Sequence, residues 1–200
     1  MYRRFFKRML DLILSGLGLL LLSWLFVVLI VAVRLDSRGP VFFTQKRVGA
    51  KKKYFKILKF RTMRIDTPYD MPTHLLADPE QYITRVGKFL RKTSLDELPQ
   101  LLNIFAGHMS VVGPRPALWN QYDLLALRDA CGANDVRPGL TGWAQIHGRD
   151  ELELEEKARL DGYYVEHLGF VMDLKCFFGT IGSVLRKDGV VEGGTGAMKK

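Results

Sequence analysis

The feature that most limits what this chain can fold into is an apolar run from Met9 to Val33 that carries one charge, Asp11. A helix of roughly 20 apolar residues spans a bilayer, so the run is long enough to do so. It is too long for the apolar part of a signal peptide, and no Ala-x-Ala cleavage site follows it. Its flanks matter more than its length. Arg3, Arg4, Lys7 and Arg8 precede it, and Arg34, Arg38, Lys46, Arg47 and three lysines at 51–53 follow it. Basic flanks stay on the cytoplasmic side. A straight span would carry one cluster across, whereas a re-entrant helix that dips in and returns keeps both on one face. An ordinary single span is the alternative. Re-entry needs a kink, expected at Ser23-Trp24 with Gly16 and Gly18 helping. Asp11 is expected to pair with Lys7 or Arg8 near the interface.

Net charge is +9 at neutral pH, which calls for an anionic partner: nucleic acid, anionic lipid or a phosphorylated substrate. Hydrophobic residues make up 48% of the chain, enough for a packed domain even with the anchor set aside. Cys131 and Cys176 lie far apart and outside any CxxC pattern, so a zinc site or disulfide framework is not expected. Three parts follow: a basic N-terminus and re-entrant helix over 1–38, a catalytic domain over 39–191 and a Gly-rich flexible tail over 192–200.

The stretch richest in chemistry is Thr93-Ser94-Leu95-Asp96-Glu97-Leu98-Pro99-Gln100. Ser94 and Glu97 have the spacing of a capping box. Asp96 then falls in the first helical turn, where unpaired N–H groups and the helix dipole favour an ionised carboxylate. Leu98, Leu101, Leu102, Ile104 and Phe105 continue an apolar face until Gly107. Two adjacent carboxylates among cations suit a nucleophile or a metal ligand for phosphate chemistry. A capping box with a spare solvated Asp is the plainer reading of the same residues.

Around it the chain offers cations. Strands are expected at Val41–Gln45 and Tyr54–Arg61, joined by a turn at Val48-Gly49-Ala50; Lys59, Arg61 and Thr62 present charges and a hydroxyl suited to phosphate. The same hairpin also suits a basic surface on anionic lipid. Residues 65–81 read as loop and Ile83–Lys92 as a helix whose Arg91 and Lys92 lead into Asp96. Gly113-Pro114-Arg115-Pro116 is a rigid turn that preorganises the Arg115 guanidinium for a bidentate phosphate contact. His108 reads as a surface residue. A helix over Trp119–Cys131 precedes Arg137-Pro138-Gly139-Leu140-Thr141-Gly142-Trp143, which suggests a loop of close backbone approach and a short strand, neither a P-loop nor a Rossmann turn. Glu151–Leu168 and Phe170–Lys187 read as amphipathic helices, the second suited to the membrane interface or to core packing. The expected class is α+β: a re-entrant membrane helix, a small β-hairpin or short sheet, and several amphipathic interfacial helices.

Taken in order, several motifs resemble one family. They are Gly-Pro-Val-Phe-Phe-Thr-Gln-Lys-Arg-Val-Gly at 39–49, Phe-Lys-Ile-Leu-Lys-Phe-Arg-Thr-Met at 55–63, Ser-Leu-Asp-Glu-Leu-Pro-Gln at 94–100, Met-Ser-Val-Val-Gly-Pro-Arg-Pro at 109–116 and Arg-Pro-Gly-Leu-Thr-Gly-Trp-Ala-Gln-Ile-His-Gly-Arg at 137–149. The chain resembles the monotopic phosphoglycosyl transferases, in a minimal catalytic form similar to the enzyme that opens bacterial N-glycan assembly. The resemblance implies transfer of a sugar 1-phosphate from a UDP-sugar to undecaprenyl phosphate with release of UMP. It makes Asp96 the nucleophile and a magnesium ligand, with Glu97 completing the dyad. Lys59, Arg61, Thr62, Arg91, Arg115, Arg137, Arg149, Asp161 and Tyr164 then fall at positions expected to bind phosphates, uridine or sugar. The implied partners are those two substrates and membrane lipids, not nucleic acid; a homodimer is open to it. The implied location is the cytoplasmic membrane, with the catalytic domain on its cytoplasmic face. The family usually breaks its re-entrant helix at Ser-Pro, where this chain has Ser23-Trp24. A membrane-anchored basic scaffold or lipid-binding protein is the other class; it needs no Asp96-Glu97 turn.

Overall fold

The computed structural model describes residues 1–67, 79–148 and 152–186. Within them the apolar run forms two helices, α1 (Lys7–Leu21) and α2 (Ser23–Asp36), bent by 63°. No single described helix is long and apolar enough to cross a membrane; the bent pair qualifies only when its two arms are taken together. The break falls at Leu22, whose φ of −95° and ψ of 5° leave the helical region. Ser23 opens α2, and its hydroxyl donates to the Leu20 carbonyl at 2.8 Å. That bond satisfies a carbonyl at the bend without a proline. Gly16 and Gly18 do not make the bend, as the sequence reading expected; they open α1 to close approach. A Cβ on Gly16 would sit 3.5 Å from the Phe105 ring and one on Gly18 3.1 Å from Leu101.

The chain next forms an antiparallel hairpin of β1 (Phe42–Val48) and β2 (Tyr54–Phe60), in register from Phe42 opposite Phe60 to Val48 opposite Tyr54. β1 runs three residues past its expected end at Gln45, and the turn is carried by Lys51 and Lys52 at φ of 54° and 58°. One hairpin end packs on the anchor: Phe60 joins Leu29, Val33 and Leu90 in a core that also takes Phe26 and Leu98. Phe55 and Ile57 face a second core with Ile104 and Met109. α3 (Arg85–Thr93) is capped by Thr84, whose hydroxyl accepts from the Gly87 N–H at 3.0 Å. A turn at Leu95–Glu97 leads into α4 (Gln100–Phe105), which lies along α1.

β3 (Ser110–Val112) and β4 (Gly139–Thr141) form a short parallel pair, joined by a crossover that contains α5 (Tyr122–Ala130). The approach is so close that a Cβ on Gly139 would lie 2.1 Å from the Gly113 nitrogen. α6 (Trp143–Ile146), α7 (Leu154–Glu166) and α8 (Phe170–Arg186) cover this pair. On α8, Met172 and Cys176 are buried against the domain, while Phe170, Val171, Phe177, Phe178 and Ile181 are exposed. The class is α+β among the described residues, with two two-stranded sheets where one hairpin or short sheet was expected. Most of the expected 65–81 loop and the whole 192–200 tail lie outside the described residues.

The anchor is fastened to this domain by buried polar bonds. Lys7 and Arg8 lie close enough to act on the Asp11 charge, but neither is its hydrogen-bond partner. Its Oδ1 accepts from the Ser110 hydroxyl and the Val111 N–H, both at 2.9 Å, because α1 crosses the start of β3. Lys7 instead donates to Asp173 at 2.6 Å, and Arg8 to the Ile104 and Phe105 carbonyls at 2.6 and 2.9 Å. Asp173 also accepts from the Tyr2 and Tyr164 hydroxyls at 2.7 and 2.8 Å. Replacing Asp173 with Ala strands the Lys7 ammonium and the Tyr2 hydroxyl where water barely reaches, while the Tyr164 hydroxyl keeps the Val112 carbonyl at 3.1 Å. We expect a loss of about 3–5 kcal/mol, read as a lower unfolding midpoint in detergent.

Candidate active site

Three segments meet at the Asp96-Glu97 turn. α3 ends at Ser94, which adopts the left-handed conformation (φ 56°) and whose N–H bonds the Arg91 carbonyl. The sequence reading made Ser94 and Glu97 a capping box. In the structure the Ser94 side chain makes no cap bond, because the left-handed residue closes α3 instead of opening the next helix. Glu97 turns to cations instead of reaching back to Ser94. Its Oε1 accepts from Lys59 Nζ at 2.8 Å and from an Arg115 guanidinium nitrogen at 3.2 Å. Lys59 Nζ also lies 3.5 Å from Asp96 Oδ2.

The strand register explains how Lys59 arrives. It lies opposite Phe43 near the end of β2, with its side chain 19% exposed. Asp96 and Glu97 are themselves only 9% and 8% exposed, so this is not a solvated cap. Burial pushes the Asp96 carboxyl above its ordinary 3.8; Lys59 pulls it down, the Glu97 charge pushes it up and Arg91 pulls it down again. Arg91 is held in place by its Nε–H, which donates to the Thr62 hydroxyl at 3.0 Å. Thr62 sits against α3 because Gly87 has no side chain: a Cβ there would meet the Thr62 carbonyl oxygen at 2.0 Å.

The turn thus sets two buried carboxylates beside one ammonium and one guanidinium, with a second guanidinium near enough to act on Asp96. Residues 2–187 match the model of a family described as bacterial sugar transferase. The chain belongs to that family. It is 42% identical to an uncharacterised sugar transferase, EpsL, of Bacillus subtilis over 92% of this chain and 89% of that one. It is 40% identical to the UDP-glucose:undecaprenyl-phosphate glucose-1-phosphate transferase of Escherichia coli, over 89% of this chain and 40% of the relative. It is also 40% identical to the exopolysaccharide production protein PSS of Rhizobium leguminosarum, over 90% of this chain and 96% of the relative. The chain therefore spans most of some relatives and about two fifths of the glucose-1-phosphate transferases.

In this sugar transferase the other expected site residues divide. Lys59, Thr62, Arg91 and Arg115 gather around Asp96 and Glu97. Arg61 does not join them. It is buried, and its guanidinium donates to the Ser37 and Arg38 carbonyls at 2.6 and 2.9 Å, tying the end of β2 to the chain leaving the anchor. Asp161 and Tyr164 are each 1% exposed. Asp161 Oδ2 accepts from Arg128 Nε–H at 2.8 Å and from a terminal guanidinium nitrogen at 2.5 Å, and Tyr164 belongs to the Asp173 clamp. Arg137 donates to the Gly107 carbonyl at 3.0 Å, next to Arg8. Arg149 lies outside the described residues. Sequence reasoning missed Arg128, because one Arg on an amphipathic helix reads as solvated until its partner is known. It gave Gln45 as the end of a strand and Arg47 as one of the flanking cations, with no role at the site for either.

The raised Asp96 carboxyl has a consequence for stability. It holds its proton more tightly folded than unfolded, so its contribution falls as pH rises from 3.8 through the folded value and is a penalty once it is ionised. Asp96→Asn removes the penalty. The variant is expected to unfold at a higher temperature than the parent at neutral pH, with the gain shrinking as pH falls toward 3.8. Thermal midpoints across pH for both proteins test this.

Proposed function

We propose that this sugar transferase moves a sugar 1-phosphate from a UDP-sugar to undecaprenyl phosphate through a covalent intermediate on Asp96. The observation that carries the reading is the buried Asp96-Glu97 pair faced by Lys59 and Arg115. Ionised carboxylates are buried only where cations compensate them, and such a site favours a nucleophile over a structural cap. The names of the relatives supply the substrate class, with UDP-glucose first.

In the first half-reaction an Asp96 carboxylate oxygen attacks the β-phosphorus. The bond from that phosphorus to the bridging oxygen breaks, and UMP leaves with the electron pair. In the second, an oxygen of undecaprenyl phosphate attacks the same phosphorus, and the Asp96 oxygen departs as carboxylate. Lys59, Arg91 and Arg115 balance the charge of the diphosphate and of the departing UMP. Glu97 holds Lys59 and Arg115 in place and accepts a proton from the incoming lipid phosphate if it arrives protonated.

Magnesium belongs to this proposal. Among the described residues no group of three His, Cys, Asp or Glu side chains is placed to hold a metal. Two carboxylates with substrate phosphates nevertheless make an ordinary magnesium donor set, and both carboxylates already share a cation, Lys59. Asp96 and Glu97 would hold the ion, which would neutralise the diphosphate.

The location follows from the same reading. The bent α1–α2 pair is a re-entrant hairpin in the cytoplasmic membrane, with the exposed apolar face of α8 at the lipid surface and the catalytic domain on the cytoplasmic face. This brings a soluble nucleotide and a lipid phosphate to one carboxylate.

The test uses protein in detergent or lipid particles with magnesium, a panel of UDP-sugars and no lipid acceptor. Stoichiometric UMP release and a phosphosugar adduct on the intact mass are expected for one sugar, and neither for Asp96→Asn. Lys59→Met is expected to slow UMP release on the order of 100-fold, as loss of one preorganised charge does. UMP release that needs polyprenol phosphate would remove the covalent intermediate and keep the transfer. No release under either condition would overturn the proposal.

A further inference from the structure

The turn that delivers Arg115 is short of its own hydrogen bonds. Pro114 and Pro116 have no N–H, so the segment has two fewer donors for its own carbonyls. Four consecutive carbonyls are instead met from outside. The Gly139 N–H donates to Pro114 at 2.9 Å, and the Val48 N–H to Ala117 at 3.0 Å. Between them, Arg128 donates to the Arg115 carbonyl and Arg47 to the Pro116 carbonyl, both at 3.0 Å. The outer two donors are main chain and belong to the strands. The inner two are guanidiniums, and each is itself fixed. Arg128 is clamped on buried Asp161 by two donors. Arg47 donates to the buried Gln45 side-chain carbonyl at 2.7 Å.

We infer that Arg47 and Arg128 are positioning residues for Arg115, fixing the turn so that its guanidinium meets Glu97 and the substrate phosphates. The prolines restrict φ on either side of Arg115, but restricting φ does not orient the turn against Glu97. Orientation comes from what the carbonyls on either side of the Arg115–Pro116 bond are attached to. A planar fork presents its donors at fixed, separated positions, so it spans Asp161 or Gln45 and a turn carbonyl at once; a lysine ammonium has three donors but gathers them at one atom and does not reproduce that geometry. Asp161 thereby acts on the site through Arg128. The inference rests on Arg115 belonging to the transfer site proposed above.

The experiment uses the full chain in lipid particles with Arg47→Lys and, separately, Arg128→Lys. Amide hydrogen exchange across residues 113–118 is expected to quicken on the order of tenfold in each, with α4 and β2 unchanged as the control for folding. The rate of UMP release is expected to fall on the order of tenfold in each, through kcat more than KM. In an Arg115→Met background the same Arg47→Lys change is expected to cost less than about twofold, since a residue acting through Arg115 has nothing left to position. Equal losses in both backgrounds, or unchanged exchange over 113–118, would overturn the inference. Arg47 is the half-buried member of the pair, so its variant decides the matter if Arg128→Lys does not fold. Quickened exchange in a protein that releases no UMP from any UDP-sugar would leave the turn's support standing and remove the transfer reaction.

Discussion

One ammonium between two carboxylates is the interaction from which this site is built. Asp96 and Glu97 are adjacent in sequence, held in one tight turn and largely removed from water. Like charges that close oppose one another, and burial adds to the cost of each. Lys59 relieves both at once. Because it comes from β2, the carboxylate turn, the hairpin and the Gly-Pro-Arg-Pro turn must all be in register for the pair to be met by its cations. Arg91 and Arg115 add charge from two further segments: Arg91 is steadied by the neutral Thr62 hydroxyl, and Arg115 meets Glu97 directly.

The anchor obeys the same logic with different partners. Asp11, Lys7, Arg8 and Tyr2 are polar groups at the start of an apolar helix, and each is met by a group of the folded domain instead of by a neighbour on α1. Ser110, Val111, Asp173 and the end of α4 supply those partners. Gly16 and Gly18 then let α4 lie close along the helix. The bent pair and the domain are thus joined by polar bonds whose loss would leave buried groups without partners, which sets the Asp96 turn at a defined place relative to the bent pair.

Much of this was legible in the residues. The alternation of Phe55 and Ile57 with Lys56 marks β2, the apolar run marks the α1–α2 pair, and the glycines of 139–142 mark a close backbone approach. That Lys59, Thr62, Arg91 and Arg115 belong with Asp96 and Glu97 came only as what the family resemblance implies, not from local spacing. Three readings failed for one reason. Ser94 was taken as a helix start, Asp11 as a partner of Lys7 or Arg8, and Gly16 and Gly18 as part of the kink. Each was inferred from sequence neighbours; Asp11, the α1 glycines and Glu97 met groups from distant segments instead, while Ser94 closes α3. Arg61, Asp161 and Tyr164 carry groups suited to ligands, yet they are occupied with main chain, Arg128 and Asp173.

The sequence by itself determined the elements and their chemistry. Periodicity, glycine and proline positions, and charge placement are local properties, written in the spacing of residues. It set an apolar segment too long for a signal peptide, basic on both flanks, and two carboxylates in a turn among cations. What only the tertiary structure decided is which charge meets which. Lys59 and Glu97 are 38 residues apart, Asp11 and Ser110 are 99 apart, and Lys7 and Asp173 are 166 apart. No local pattern encodes such pairings. They arise when packing of the apolar faces brings strands and helices together, and the polar groups buried in that process take the nearest partner left to them.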